Sequence, residues 1–395
     1  RTGKNGIVAT LQAGSRAGFF AGFGDPNFLT EPVILDAAGQ VAAFWSQEEL
    51  DVTGDIFPYR LASLTCHAPP PPPGAKLECR VLVKHVSDKE IHSDIEILDP
   101  DGRLIYRLEN WEDRRFPQHT NFWRLRISPR EAYLSQPWEE PLKGFLDHQR
   151  LACCRIDFLT QEFFESSHGI WPRVLAHLIL SRRERELFQQ MPAAGHRRRD
   201  WLIGRCAAKD AVRMLIRKHF AVDLHPADVE ILSDAHGRPC VGGAWTRELN
   251  VKPVVSISHT QGMAAALASL EPGQIVGIDV ESIHHAPEDF QAIAFSDQER
   301  SIVDHMPEEA RQEWWIRMWC AKEAVAKALG RGLSGGLRSL RVADAERHNG
   351  TVQLELQGSL LQEFAQLRGK PMIANTSRGK DLVFSTIVYQ QGVIQ

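Results

Sequence analysis

Residues 77–116 alternate apolar and polar side chains, with a turn at Asp99-Pro-Asp-Gly102. Leu77-Glu-Cys-Arg-Val-Leu-Val-Lys84, Ile91-His-Ser-Asp-Ile-Glu-Ile-Leu98 and Arg103-Leu-Ile-Tyr-Arg-Leu108 put every second side chain on one face. That period belongs to strands half buried against a core, and the Asp-Gly turn between them predicts a hairpin. A sheet with one apolar face needs a cover. Val33 to about Leu50 supplies it: the segment reads as a helix, apolar nearly all round, and is expected to lie buried in the wrap of the sheet. Short β-rich runs at Ile7–Leu11 and Phe57–Thr65 add strands, and the prolines at 69–73 read as a stiff spacer between strands.

The character of the chain changes after Pro137-Trp-Glu-Glu-Pro141. Two prolines among charged residues suggest a linker over 136–149, with one domain over 1–135 and a second over 150–395. Charge supports a division of tasks. Residues 88–113 hold nine Asp/Glu against three Lys/Arg, whereas 181–218 hold eleven Lys/Arg against four Asp/Glu. In the second segment Ser181 caps a helix with Glu184 in its first turn, and Arg199 to about Phe220 reads as a long basic amphipathic helix. Three successive strands follow at Val254–His259, Ala264–Leu270 and Ile275–Glu281. A helix over Ala310–Leu329 is stopped by Gly330 and Gly332. The whole reads as α+β, with no clear internal repeat in the letters.

Composition excludes several classes. With 43% hydrophobic and 24% charged residues the chain is globular rather than disordered. No apolar run reaches the roughly 18 residues of a membrane span. A net charge of −4 does not argue for a nucleic-acid partner. The seven cysteines form no CxxC pair and are odd in number, which points away from a disulfide framework or structural zinc and toward a reducing, cytoplasmic compartment. Arg1 in place of an initiator Met suggests a start inside a longer polypeptide.

The chemistry gathers in two places. In Gly277-Ile-Asp-Val-Glu281, Asp279 and Glu281 stand two apart on a strand and share a face, so they need a cation or a shared proton. In Trp319-Cys-Ala-Lys-Glu-Ala-Val-Ala-Lys327, Trp319, Glu323 and Lys327 fall at i, i+4 and i+8 on one helix face. Taken singly, the first is a solvated strand face and the second a surface ion pair. Taken together, with the helix beside the strand, Asp279, Glu281 and Glu323 make a hard-oxygen set suited to Mg²⁺ and, through it, to a pyrophosphate-bearing substrate.

These two motifs, about forty residues apart, resemble the G-(I/V)-D-x-E and W-x-x-K-E-x-x-x-K signatures of 4′-phosphopantetheinyl transferases of the surfactin-synthetase-activating type. Ser256-Ile-Ser-His-Thr260, Gly237-Arg-Pro239 and the helix Trp201-Leu-Ile-Gly-Arg-Cys-Ala-Ala-Lys209 extend the likeness over roughly 150–395. The resemblance implies two pseudo-related halves with the site in the cleft between them. It also implies transfer of the phosphopantetheine arm of coenzyme A to a serine of an acyl carrier protein. Asp279, Glu281 and Glu323 would hold Mg²⁺, with Glu323 or its rival Glu281 as general base. Lys327 would meet phosphate oxygens, His259 and Ser258 would add phosphate contacts, and Arg238 and Arg199 would grip the nucleotide end. The basic stretch 182–218 would steer an acidic carrier.

The first domain carries a second resemblance. Asp36-Ala-Ala-Gly-Gln40 is similar to the D-x-x-x-Q motif on the long helix of the second hotdog of polyketide synthase dehydratases. There an Asp steadied by a Gln works with a His from the first hotdog. No H-x-x-x-G-x-x-x-x-P motif occurs here, and His67, His85 and His92 do not fit it. The order dehydratase then transferase resembles the C-terminal tail of iterative, enediyne-like polyketide synthases, whose own carrier would be the partner; a homodimer is compatible with that. The competing expectations are dehydration as the main activity, or a non-catalytic docking tail.

Overall fold

The computed structural model describes all residues except 16–18, 20, 22–27, 29, 51–53, 146–147, 160–162, 165–169, 193–195, 261, 285–289, 333–337 and 391–395. It is α+β and divides into two units, Arg1–Trp123 and Arg124–Gln395. No helix among the described residues is long and apolar enough to cross a membrane.

The first unit is one antiparallel sheet and one long helix. The strands are β1 (Thr2–Gly3), β2 (Gly6–Gln12), β3 (Gly54–Cys66), β4 (Lys76–Val86), β5 (Glu90–Leu98) and β6 (Leu104–Pro117), in the order β1-β2-β4-β5-β6-β3. The turn after β5 forms as the Asp-Gly signal requires: the Asp99 carboxylate accepts from the amides of Asp101 and Arg103, and Gly102 takes φ +80°. The helix α1 (Pro32–Glu49) begins on a proline that pre-sets its first turn. Ile34, Ala38, Ala42 and Trp45 are buried with Cys79, Ile95, Ile97, Tyr106 and Leu108 of the sheet. Gly39 lets the helix close on β6, since a Cβ there would stand 3.0 Å from the Trp111 ring. The proline run lies in the connection between β3 and β4, as expected of a spacer.

The second unit contains two lobes of matching plan. The first lobe orders β7 (Gln136–Pro137), β8 (Leu151–Ile156), β9 (Glu230–Ser233), β10 (Pro239–Gly242), β11 (Val254–Thr260) and β12 (Met263–Ser269) as β7-β8-β12-β11-β10-β9. The second orders β13 (Gln274–Ser282), β14 (Leu340–Glu346), β15 (Thr351–Leu356), β16 (Met372–Arg378) and β17 (Leu382–Gln390) as β13-β17-β16-β15-β14. Without β7 the two sheets correspond strand for strand. Their helices correspond too. In the first lobe α2 (Arg182–Gln190) precedes α3 (His196–Phe220); in the second α4 (Asp297–Asp304) precedes α5 (Glu308–Ala328).

Each short helix opens with a capping box, Ser181 with Glu184 and Ser296 with Glu299. Each capping glutamate then receives a buried lysine from the long helix, Lys209 Nζ to Glu184 and Lys322 Nζ to Glu299, both at 2.7 Å. Each also accepts a strand amide, Ile231 N and Val342 N respectively. The repeat therefore exists in the letters as Ser-x-x-Glu-Arg followed by a lysine 25 or 23 residues after the glutamate. It is too sparse to stand out without the contacts.

The stretch 136–149 is expected as a linker, but its residues 136–145 are built into the second unit instead. Its β7 pairs with β8, Trp138 and Leu142 are buried, and the break between units falls at 123/124. Prolines and charges mimic a linker here, but the side chains between them have a core to enter.

Candidate active site

The site begins with a missing Cβ. A methyl group on Gly277 of β13 would lie 1.9 Å from the carbonyl oxygen of Ala324 on α5. Glycine is therefore what lets helix and strand touch backbone to backbone, bringing the residue next to Ala324, Glu323, to the strand that carries Asp279 and Glu281. The other lobe closes on β13 through side chains. Because β13 is a terminal strand, its outward amides need partners, and Ser256 Oγ accepts from Ile278 N (3.1 Å) and Ser258 Oγ from Val280 N (3.2 Å). Alternation on β11 puts both serines on the face toward β13. On the opposite face Ile257 meets Gly204 of α3, where a Cβ would stand 2.9 Å from its methyl.

Asp279 is buried at 3% exposure. Its Oδ1 accepts from Lys327 Nζ at 2.6 Å and from Ser258 Oγ at 2.9 Å, while its Oδ2 has no hydrogen-bond partner. Glu281 is pushed up to about 7, first by burial and then by the Asp279 charge, with the Trp319 side chain pulling the other way. Burial also raises Glu323, against the pull of Lys327. Lys327 is held charged above its ordinary value by Asp279, although burial opposes this.

Lys327 thus pairs with Asp279 rather than with Glu323. Ser258 differs from the expectation of a free phosphate donor: its O–H is spent on Asp279. Among the described residues no three His, Cys, Asp or Glu side chains stand close enough to hold a metal. The expected Asp279–Glu281–Glu323 set is accordingly not closed. Three carboxylates repel when nothing lies between them, and here the Lys327 ammonium neutralises Asp279. The set still fits a hard divalent cation in kind: all donors are carboxylate oxygens, one of them buried and unpartnered, and two have raised proton affinity.

Beside these acids opens a cleft of about 580 Å³ lined by Arg197, Arg205, Arg238, His236, His259 and Lys327, together with Asp200 and Trp201. Its cations are held by the lobes. Arg238 follows a turn in which Asp234 accepts the Arg238 amide, and its side chain packs on Gly330. His259 is half exposed, with Nδ1 4.0 Å from Asp200 Oδ2. Arg199, expected in the nucleotide grip, is instead tied to Asp200 at 3.0 Å and is not among the lining residues, a place taken by Arg197. Arg197 and Arg199 stand two apart on α3, and the letters Arg-Arg-Arg do not say which of them lines the cleft.

Sequence reasoning missed Arg205. Its guanidinium stacks 3.6 Å over the Trp201 ring, its Nε has no partner, and burial lowers it to about 10. The i, i+4 spacing of Trp201 and Arg205 carried that signal. Lys322, inside the same motif as Glu323, proves structural through Glu299 and the Ala294 carbonyl. In the first unit Gln40 Nε2 donates to Asp36 Oδ2 at 2.7 Å, so the Asp–Gln pair forms, on an exposed part of α1.

Residues 275–376 match the family model of the 4′-phosphopantetheinyl transferase superfamily, and residues 1–121 that of the polyketide synthase dehydratase N-terminal domain. The second match supports a dehydratase hotdog, while its order within the dehydratase differs from the motif reading. The 4′-phosphopantetheinyl transferase HetI of Nostoc sp. is 25% identical over 159 residues, 40% of this chain, and the match spans 63% of HetI, less than two thirds of its length. A holo-[acyl-carrier-protein] synthase of Halalkalibacterium halodurans is 32% identical over 116 residues, 29% of this chain and 92% of that protein. The thioesterase HI1161 of Haemophilus influenzae aligns over 30% of this chain and 79% of its own at 13% identity, with a TM-score of 0.24, too low to carry an argument. With its acidic strand and Lys-Glu helix packed together at Gly277, the chain belongs to the 4′-phosphopantetheinyl transferase superfamily.

Proposed function

We propose that the second unit transfers the 4′-phosphopantetheine arm of coenzyme A to a serine of an acyl carrier protein, as the tail of a polyketide synthase in the cytoplasm. The observation that carries this reading is the juxtaposition in one cleft: cations with unspent donors, Arg205 foremost, beside a buried carboxylate with an unspent oxygen. A molecule with an anionic nucleotide end and a pyrophosphate fits that division.

In the reaction the serine oxygen bonds to the phosphorus that bears the pantetheine. The P–O bond toward the adenosine side breaks, and adenosine 3′,5′-bisphosphate leaves. Arg205, Arg238 and Arg197 hold the nucleotide phosphates. Lys327 meets the charge that develops on the leaving oxygen. Asp279, Glu281 and Glu323 would hold Mg²⁺, which supplies charge neutralisation on the pyrophosphate when bound. The serine proton passes to a carboxylate. Glu323 is the candidate, with Glu281 as its rival, and burial raises the proton affinity of both. Loading measured for E281Q and E323Q separates the two.

The test incubates the full chain with coenzyme A, Mg²⁺ and an apo carrier protein, and follows the carrier's mass. Gain of one phosphopantetheine arm is expected; a carrier of unchanged mass sinks the proposal. A second reading, dehydration by the first unit, rests on the Gln40–Asp36 hydrogen bond and on the match of residues 1–121 to the dehydratase family model. It requires a histidine from another hotdog, so a β-hydroxyacyl thioester should stay intact with this chain by itself.

A further inference from the structure

We infer that residues 129–145 are a clasp that ties the two lobes of the second unit together and so sets the width of the cleft. The segment makes its first attachment to α3. Asp210 Oδ2 accepts from Leu134 N, Ser135 N and Ser135 Oγ at 2.8–2.9 Å, and Arg213 Nη2 donates to the carbonyls of Pro129 and Arg130 at 2.7 and 3.0 Å. Asp210 and Arg213 are themselves buried and paired at 2.8 Å. The segment then joins the first lobe's sheet as β7, and Trp138 N donates to Cys153 O.

At Trp138 it crosses over. The indole is buried at 5% exposure in the apolar layer between the sheets, with its ring centroid 4.6 Å from Phe384 of β17. Beyond the crossing the attachments belong to the second lobe. Thr386 Oγ1 donates to Pro141 O at 2.9 Å, and Gly144 lies so close to Asn375 that a Cβ would meet its Nδ2 at 2.5 Å.

The seam needs such a tie. Between β11 and β13 the hydrogen bonds of the described residues run through serine side chains, Ser256 and Ser258 Oγ accepting from Ile278 N and Val280 N and Ser258 Oγ donating to Asp279 Oδ1, not through a backbone ladder. Yet the proposed cleft takes Arg205 and Arg238 from one lobe and Asp279, Glu281 and Lys327 from the other. The clasp is therefore a positioning element for the transfer; that part of the inference rests on the reading above, whereas the mechanical part does not.

The experiment uses the full chain with T386V, and T386V combined with G144A, and follows hydrogen exchange residue by residue without ligand. Loss of one buried hydrogen bond is worth about a factor of ten. Exchange at the Ile278 and Val280 amides should rise about ten-fold in T386V, more in the double variant, while amides of the β11–β12 and β14–β15 ladders stay within two-fold. In carrier loading, KM for coenzyme A should rise and kcat fall together. Equal acceleration at ladder and seam, or none at the seam, overturns the clasp. T386V is isosteric and decides the matter alone if the double variant does not fold. A seam that loosens in a chain without transferase activity keeps the clasp and removes the functional reading instead.

Discussion

Replacing Gly277 with alanine places a carbon 1.9 Å from the Ala324 carbonyl oxygen. Real Cβ contacts stay beyond 3.0 Å, so α5 must retreat from β13 by at least 3.0 less 1.9, or 1.1 Å. The obstacle is main chain and cannot rotate away, so the cost sits at the upper end of overpacking, about 3 kcal/mol. The same shift carries Glu323 away from Asp279 and Glu281, and a displacement of about 1 Å in a catalytic array costs about 10²-fold in rate. Gly204→Ala is the matched control. Its Cβ meets a side-chain methyl, Ile257 Cγ2, at 2.9 Å, and alanine is favoured over glycine in a helix by about 1 kcal/mol. G204A should therefore shift stability by less than about 1 kcal/mol. Urea unfolding of the second unit and the initial rate of carrier loading read both effects. Wild-type midpoint and rate in G277A would refute the claim that this contact assembles the site.

Lys322→Met leaves the Glu299 carboxylate buried without its cation and should cost about 3–5 kcal/mol, whereas Lys322→Met with Glu299→Gln, whose neutral amide oxygen still accepts from Val342 N, should recover part of that in thermal unfolding. Arg205→Ala should raise KM for coenzyme A at least ten-fold with a smaller change in kcat, and weaken dephospho-coenzyme A less if the guanidinium meets the 3′-phosphate; steady-state kinetics with both substrates decide. In the first unit burial pushes Asp113 up to about 6. A carboxyl raised in the fold favours the protonated native state, so its contribution is full below pH 3.8, falls through pH 4–6 and is flat above. The first unit should lose on the order of 2–3 kcal/mol across that window, and Asp113→Asn should remove the dependence in unfolding curves from pH 3.5 to 7.

The local parts of this fold were legible because their causes are local. The 77–116 alternation, the Asp99 turn, the Ser181 cap and the Gly330 stop each involve residues within a few positions of one another. The two acidic motifs were legible as chemistry, and packing at Gly277 joins them. What the letters hid depends on distant partners. Pro141 is no linker residue because Thr386, 245 residues away, bonds its carbonyl. Ser258 donates its hydroxyl to Asp279, 21 residues on, and Arg199 pairs with Asp200, contacts that the motif letters do not announce.

The two corresponding edge strands, β8 and β13, are covered by different means. β13 is covered by the face of the neighbouring lobe through Ser256 and Ser258, while β8 is covered by the two residues of β7. The acids after the paired lysines diverge in the same way: Glu323 faces the site, and its counterpart Asp210 is consumed by Leu134 and Ser135. If each lobe had to borrow its cover from the next, association would run head to tail into a ring or a filament. By pairing β8 with its own preceding strand, the chain closes that edge within itself and stops the series at its two lobes.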